Sequence, residues 1–271
     1  MLGSVQMSMT AIPRRLIALS LLILFPAAAD IAKASEVKVM ISGGLAAAYK
    51  ELVPQFERTT GNKVVSAYGP SMGTTENAIP VRLGRGESAD VLIMVGDALG
   101  VMIEQGKVVR TSRVDLVRSP IGMAVRAGAS KPDIRTPDAL KQALLNAKSV
   151  AYSDSASGVY VGTELFRRLG IVEDMKGKAR MIPAEPVAGV VARGDAELGF
   201  QQISELLPIA GAELVGPLPP ELQNITIFSA GITANASQPE AGRELIVFLA
   251  SAEAAAVLKR TGLDPFANSP K

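Results

Sequence analysis

The sequence predicts an α/β fold whose strands run largely parallel, and three observations predict it. Short β-branched stretches alternate with segments whose apolar residues recur at helical spacing, from Val37 almost to the end of the chain. Ala89 to Val95 (ADVLIMV) is a near-continuous apolar run, as expected of a strand covered on both faces. Strand ends turn into helices through short loops rich in Gly, Ser, Thr and Pro, residues that bend or cap a chain.

Val37 to Ser42 (VKVMIS) reads as the first strand, and Gly43-Gly44 opens a helix over Leu45 to Arg58, with Pro54 predicting a kink or break. Gly61-Asn62 stops that helix before the strand Lys63 to Tyr68. Ser71 follows a Gly69-Pro70 turn and is placed to cap a helix running to about Leu83. After Ala89 to Val95 come a helix at Ala98 to Glu104 and two extended stretches, Val114 to Val117 and Ile121 to Arg126. Thr136-Pro137-Asp138 starts another helix, with Pro in its first turn.

Ser149 to Tyr152 is a strand leading through Ser153-Asp154-Ser155-Ala156-Ser157-Gly158 into a helix that ends at Leu169. Strand Arg180 to Pro183, helix Pro186 to Arg193 and strand Ala196 to Gln201 repeat the pattern. Ile225 to Ala230 is the last strand, and helices Pro239 to Ala250 and Ala252 to Lys259 close the chain. No Pro/Gly/Ser-rich linker marks a simple two-domain junction. Two lobes would therefore exchange the chain through strands, with Ile121 to Arg126 and Ile225 to Gly231 as the candidates, leaving the first lobe discontinuous.

Composition narrows the chemistry. The 271 residues are 48% apolar and 20% charged, long enough for two modest lobes. Aromatic residues make up 4% and Trp is absent, which disfavours a sugar site built on stacking platforms. Residues 1–34 carry three basic residues (Arg14, Arg15, Lys33) and one acidic residue (Asp30), so 28 basic and 26 acidic residues in all leave 25 of each beyond them. A neutral chain of this kind has no surplus for binding a phosphate backbone, and no nucleic-acid partner is expected. There is no His and no Cys. Ser-His-Asp and Cys-His nucleophiles, His/Cys zinc sites, thiol redox chemistry and disulfides are thereby removed.

The N-terminus predicts export. Arg14 and Arg15 precede the apolar run Leu16 to Phe25, and Ala32-Lys33-Ala34 forms an A-x-A cleavage site. Residues 1–34 are read as a signal peptide, and the mature protein is expected in the periplasm.

Four strand-to-helix loops are the candidate site: Ser42-Gly43-Gly44, Pro70 to Thr74, Ser155 to Gly158, and Glu185 to Ala188. In open α/β sheets ligands bind beyond the carboxyl ends of strands. Helix N-termini there offer free N–H groups and a positive dipole end, so such loops can hold an anion without Arg or Lys. Taken singly, each loop is as well explained by capping and turn geometry. Gln201-Gln202, ending an apolar strand, needs polar partners that a cleft can supply.

The ordered set VKVMISGGL, the Ser71 loop, ADVLIMV, SASGVYV, AEPVAGVVARGDAELGF and the two closing helices resembles the periplasmic molybdate-binding proteins of ABC importers. The resemblance spans Glu36 to Leu263 and implies the type II periplasmic binding-protein fold. Two lobes are then expected, each a mostly parallel sheet flanked by helices and joined by two crossing strands. Lobe I would take 35–122 and 231–271, and lobe II 123–230.

The same resemblance implies the ligand shell. Gly44 stands where the family carries a Ser, with Ser42 the nearest hydroxyl, and Ser71 matches the second family Ser. Backbone N–H groups match at Ser157, beside Gly158 and Tyr160, and at Val187, while Gln202 replaces a family Tyr. Gly73 completes the expected set. The stretch Met72 to Arg85 is longer than usual, with Asn77 to Pro80 as the insert. More room and amide donors would suit a larger anion such as a small carboxylate, with Arg82 or Arg126 as clamps. The expectation is thus an exported, monomeric solute-binding protein of an ABC importer, taking a molybdate- or tungstate-type oxyanion and docking on an inner-membrane permease. It needs no cofactor and no metal ligands, and it is not an enzyme. A small-carboxylate carrier and an exported α/β hydrolase are the alternatives.

Overall fold

The computed structural model describes residues 1–4 and 34–266. The predicted signal peptide falls almost wholly on residues 5–33, outside the described residues. Among the described residues no helix is long and apolar enough to cross a membrane.

Strand β1 (Glu36–Ile41) runs into α1 (Gly43–Thr60), and β2 (Lys63–Tyr68) follows. Of the expected kink or break at Pro54 no break occurs, since helix α1 passes through it. Pro54 is exposed, so the Lys50 carbonyl that loses its partner lies on the solvent side. Helix α2 (Ile79–Gly84) is shorter than predicted and begins eight residues after Ser71, with Pro80 in its first turn. Strand β3 (Val91–Val95) is buried on both faces, as its unbroken apolar run requires, and leads directly into α3 (Gly96–Glu104).

The chain then forms β4 (Val114–Ser119) and β5 (Ile121–Arg126), separated by Pro120 alone. Next come α4 (Pro137–Asn146), capped by the Thr136 hydroxyl, β6 (Val150–Ser153) and α5 (Ala156–Tyr160). One π-helical turn, Val161–Leu165, leads into α6 (Phe166–Leu169) and α7 (Val172–Met175). Strand β7 (Ala179–Ile182), α8 (Val187–Arg193), β8 (Leu198–Gln202), α9 (Ile203–Leu206) and β9 (Ala212–Pro217) follow. Strand β10 (Thr226–Ile232), α10 (Pro239–Leu249), α11 (Ala252–Arg260) and the short β11 (Asp264–Pro265) complete the described chain.

The strands form two sheets, a six-stranded one in the order β11-β4-β10-β3-β1-β2 and a five-stranded one in the order β7-β6-β8-β5-β9. Each has its own apolar core. One is built on Val39, Leu45, Phe56, Ile93 and Leu245, the other on Met123, Leu140, Leu165 and Phe200. The fold is therefore α/β and two-lobed. Both sheets are mixed. The parallel runs are β2-β1-β3 and β7-β6-β8, and the antiparallel pairs involve β4, β5, β9, β10 and β11.

The two strands expected to cross between lobes each stay in one sheet: β5 pairs only within the second, β10 only within the first. The chain changes sheet at Pro120 and again between Pro217 and Thr226. The apolar periodicity of a strand shows that it is buried, but it does not show in which sheet. We propose lobe boundaries at these two connections, a few residues from the divisions at 122 and 230.

Candidate functional site

The carboxyl ends of the parallel strands define the site. In the first lobe these are Ile41, Tyr68 and Val95, and the loops that follow are 42–44, 69–78 and 95–97. In the second they are Ser153, Ile182 and Gln202. The two sets meet. The Ser204 hydroxyl donates to the Gly44 carbonyl at 2.6 Å. Ala156 packs against the core of the first lobe. A Cβ added to Gly43 would collide with Glu205 Oε1, so only glycine lets this carboxyl lie against α1.

Beside these contacts lies a cleft of about 180 Å³, lined by Val95, Gly96, Asp97, Arg113, Ala156 and residues 224–227. Its walls come from both lobes and from the second connection between them. Arg113 is fixed at its edge by the Asp115 carboxylate at 3.0 Å and the Gly96 carbonyl at 3.2 Å. Among the described residues, no three His, Cys, Asp or Glu side chains are grouped to hold a metal ion.

The residues singled out in the sequence fall into distinct settings. Ser42 is buried at the tip of β1, and among the described residues its hydroxyl has no hydrogen-bond partner. A buried hydroxyl in that state is available to a ligand and costly without one. Gly44 is buried at the seam, its Cα against the Phe228 ring, where a Cβ would not fit. Ser71 is buried and accepts the Val95 N–H at 2.9 Å, tying its loop to the end of β3. That bond, and not a helix cap, explains this serine. Gly73 is exposed in the same loop with φ +94°.

In the second lobe three hydroxyls form a triangle: Ser153 to Ser155 at 2.7 Å, Ser153 to Ser157 at 3.1 Å, and Ser155 to Ser157 at 3.2 Å. Gly158 sits against the Ser153 backbone behind them. Tyr160 points elsewhere, donating its hydroxyl to the Leu222 carbonyl at 2.7 Å. The Val187 N–H donates to Gln201 Oε1 at 2.9 Å. Gln202 is buried where the chain changes lobes, its amide within 2.9 Å of Ser119 Oγ and 2.8 Å of Thr226 Oγ1. Of the two arginines expected as clamps, Arg82 is held by Glu87, and Arg126 ends β5 at the far side of its sheet from Gln202.

Composition hid one group that the fold brings to the seam. Glu205, in the single turn of α9, is partly buried against Gly43, with Gln201 and Asp154 near. Burial pushes its carboxyl up to about 7; the Gln201 amide opposes the rise and the Asp154 charge adds to it. A carboxyl set among Ile203, Leu206 and Leu207 was the only available sequence signal.

The family described as bacterial extracellular solute-binding protein matches residues 37–264. This chain is a bacterial extracellular solute-binding protein. Within that family the protein is a divergent relative of the molybdate binders. It is 26% identical over 240 residues to the molybdate-binding protein ModA of Azotobacter vinelandii, covering 85% of this chain and 90% of that one. The solved periplasmic molybdate-binding protein of the same organism superposes with a TM-score of 0.67 at 19% identity, covering 87% of this chain and all of that one. A much nearer relative is named aconitate isomerase, from a Pseudomonas species. It is 50% identical over 232 residues, 86% of this chain and 88% of that protein. That relative is an enzyme, which overturns the expectation that a solute-binding protein without His or Cys is not one. Lack of these residues removes particular nucleophiles and metal sites but leaves acid–base chemistry on a carboxyl intact. Membership of an extracellular family also places the solute-binding protein outside the cytoplasm and gives it a small-molecule ligand.

Proposed function

We propose that this solute-binding protein is an exported isomerase of an unsaturated tricarboxylate, aconitate, working in the cleft between its lobes. The observation that carries the reading is 50% identity to the Pseudomonas aconitate isomerase over 86% of the chain. The site chemistry is compatible with it. The unpartnered Ser42 hydroxyl and the Ser153-Ser155-Ser157 triangle supply neutral donors, and Arg113 a cation, all suited to carboxylates. The residues we assign to ligand contact are Ser42, Ser71, Ser157 and their loops, with Arg113 added.

The reaction balances without a second reactant. Aconitate is propene-1,2,3-tricarboxylate. A proton leaves its methylene, the electron pair spreads over an allyl system conjugated to carboxylates, and a proton returns to the other terminal carbon. The double bond moves one position, and the skeleton regenerates aconitate. The conformer in which the methylene carboxylate is held decides whether the new bond is cis or trans. Holding that conformer is what two lobes closing on a polyanion accomplish.

Export through the leader at residues 1–34, release to the periplasm as a monomer, and delivery of solute to an inner-membrane ABC permease belong to the same proposal. A second reading, capture of molybdate or tungstate, is favoured by the likeness to ModA and by the serine loops. Thermal shift and NMR separate the two, since a ligand specific to the folded state raises the melting temperature. Stabilisation by cis- and trans-aconitate, with interconversion of the isomers, is the expected result. Stabilisation by molybdate alone, with no interconversion, overturns it in favour of oxyanion capture.

A further inference from the structure

We infer that Glu205, at the seam between the lobes beside the Ser42 loop, is the group that takes and returns the substrate's proton, and that its reach depends on Gly43. The inference rests on the isomerase reading. An allylic proton shift near neutrality is best served by a base that titrates close to the working pH, partly ionised and still proton-hungry, and a chain without His or Cys must find it among carboxyls, lysines and tyrosines. The geometry singles out one carboxyl. Glu205 stands on α9, directly after the end of β8, and projects across the lobe boundary against the N-terminus of α1. Two residues of that boundary flank it: Gln201 beside the carboxyl, and Ser204, whose hydroxyl joins α9 to Gly44.

No ion pair neutralises Glu205 among the described residues, whereas the other charges around α9 are committed. Arg193 on α8 is paired to Glu185 and Asp195, and Glu213 on β9 to Lys131. Asp154, after β6, faces Glu205 and accepts from the Ala184 N–H at 3.3 Å. From α1 the facing residue is Gly43, which carries no charge. Burial with one like charge nearby is what brings a glutamate to the middle of the neutral range, and its carboxyl is raised to about 7.

The step is a one-base transfer. The Glu205 carboxylate accepts the methylene proton and the C–H electron pair enters the allyl carboxylate system. The same carboxyl then gives the proton back at the other terminal carbon as the double bond shifts. Other groups are less suited: Asp97 lines the cleft but is exposed to water, and the Tyr160 hydroxyl is bound to Leu222.

The test uses trans-aconitate in deuterated buffer, followed by proton NMR, with calorimetry of the saturated analogue tricarballylate. The unaltered protein is expected to isomerise and to exchange methylene protons, with a rate that rises with pH through a midpoint near 7. Glu205→Gln is expected to lose about 100-fold or more in isomerisation while binding tricarballylate within about tenfold. Glu205→Asp keeps a carboxylate, retains partial activity and moves the pH midpoint. Isomerisation by Glu205→Gln within tenfold of the unaltered protein overturns the assignment and leaves the isomerase reading standing. Should the unaltered protein bind tricarballylate without isomerising, the isomerase reading fails, and calorimetry in buffers of different ionisation enthalpy decides the placement. Proton uptake on binding at neutral pH that disappears in Glu205→Gln keeps Glu205 at the anion site; equal uptake in both removes it.

Discussion

Ser204 Oγ donates to the carbonyl of Gly44 at 2.6 Å, joining α9 of the second lobe to α1 of the first. Both residues are buried, and the bond exists only while the lobes are together. A closed state held by such contacts shares its free energy with the ligand that closes it. Ser204→Ala removes a bond worth about 1 kcal/mol, and affinity for the cleft ligand is expected to fall about fivefold. Calorimetry checks the affinity. X-ray scattering of the ligand-free variant should show a larger radius of gyration.

Gln202 occupies a different position. Its amide meets Ser119 Oγ before one change of lobe and Thr226 Oγ1 after the other. A buried side chain from the second lobe thus pins β4 where the chain leaves the first lobe and β10 where it returns. Gln202→Leu keeps the volume and leaves two buried hydroxyls without a partner, at a cost of about 2–4 kcal/mol. Urea denaturation should show that loss, and it should be present without ligand, which separates a hinge role from ligand contact.

Gln202 also shows where sequence reading succeeds and where it stops. An amide closing the apolar strand LGFQQ announces a buried polar partner, and it has two. Which surface supplies them depends on pairing between distant strands, since Ile121 lies opposite Gln202 across β5 and β8. The strands themselves were readable because burial on both faces writes an apolar run such as that of Val91–Val95. Ser71 reads from the sequence as a helix cap, but its partner, the Val95 N–H, lies 24 residues away. Glu205 was missed for the same reason. Its significance comes from Gly43 and Asp154, which the chain brings to it from far upstream.

Gly44 occupies a position that has no room for a side chain. Phe228 of β10 lies over its Cα, and any Cβ there would enter the ring. Gly44→Ser is therefore expected to destabilise the fold by about 1–3 kcal/mol, the usual cost of overpacking a buried position. It should not create molybdate binding. Pairing it with Phe228→Leu should recover part of the lost stability, which thermal unfolding of the single and double variants would reveal.

The last prediction concerns stability and pH. Glu205 has a folded-state carboxyl at about 7 against an ordinary 4.5, so between those values the folded protein holds a proton that the unfolded chain has released. Stability from this group is therefore complete below about pH 4.5 and is lost as pH rises through 7, the reverse of a salt-bridged carboxylate. At 1.36 kcal/mol per unit, and allowing for the partial exposure of Glu205, the loss is about 2 kcal/mol. Glu205→Gln stays neutral throughout and should not suffer it. Urea unfolding of both proteins at about pH 5 and about pH 8.5 should show the variant gaining about 2 kcal/mol on the unaltered protein across that interval. A difference that does not change with pH would mean that the carboxyl is already ionised in the ligand-free fold, with water reaching it between the lobes.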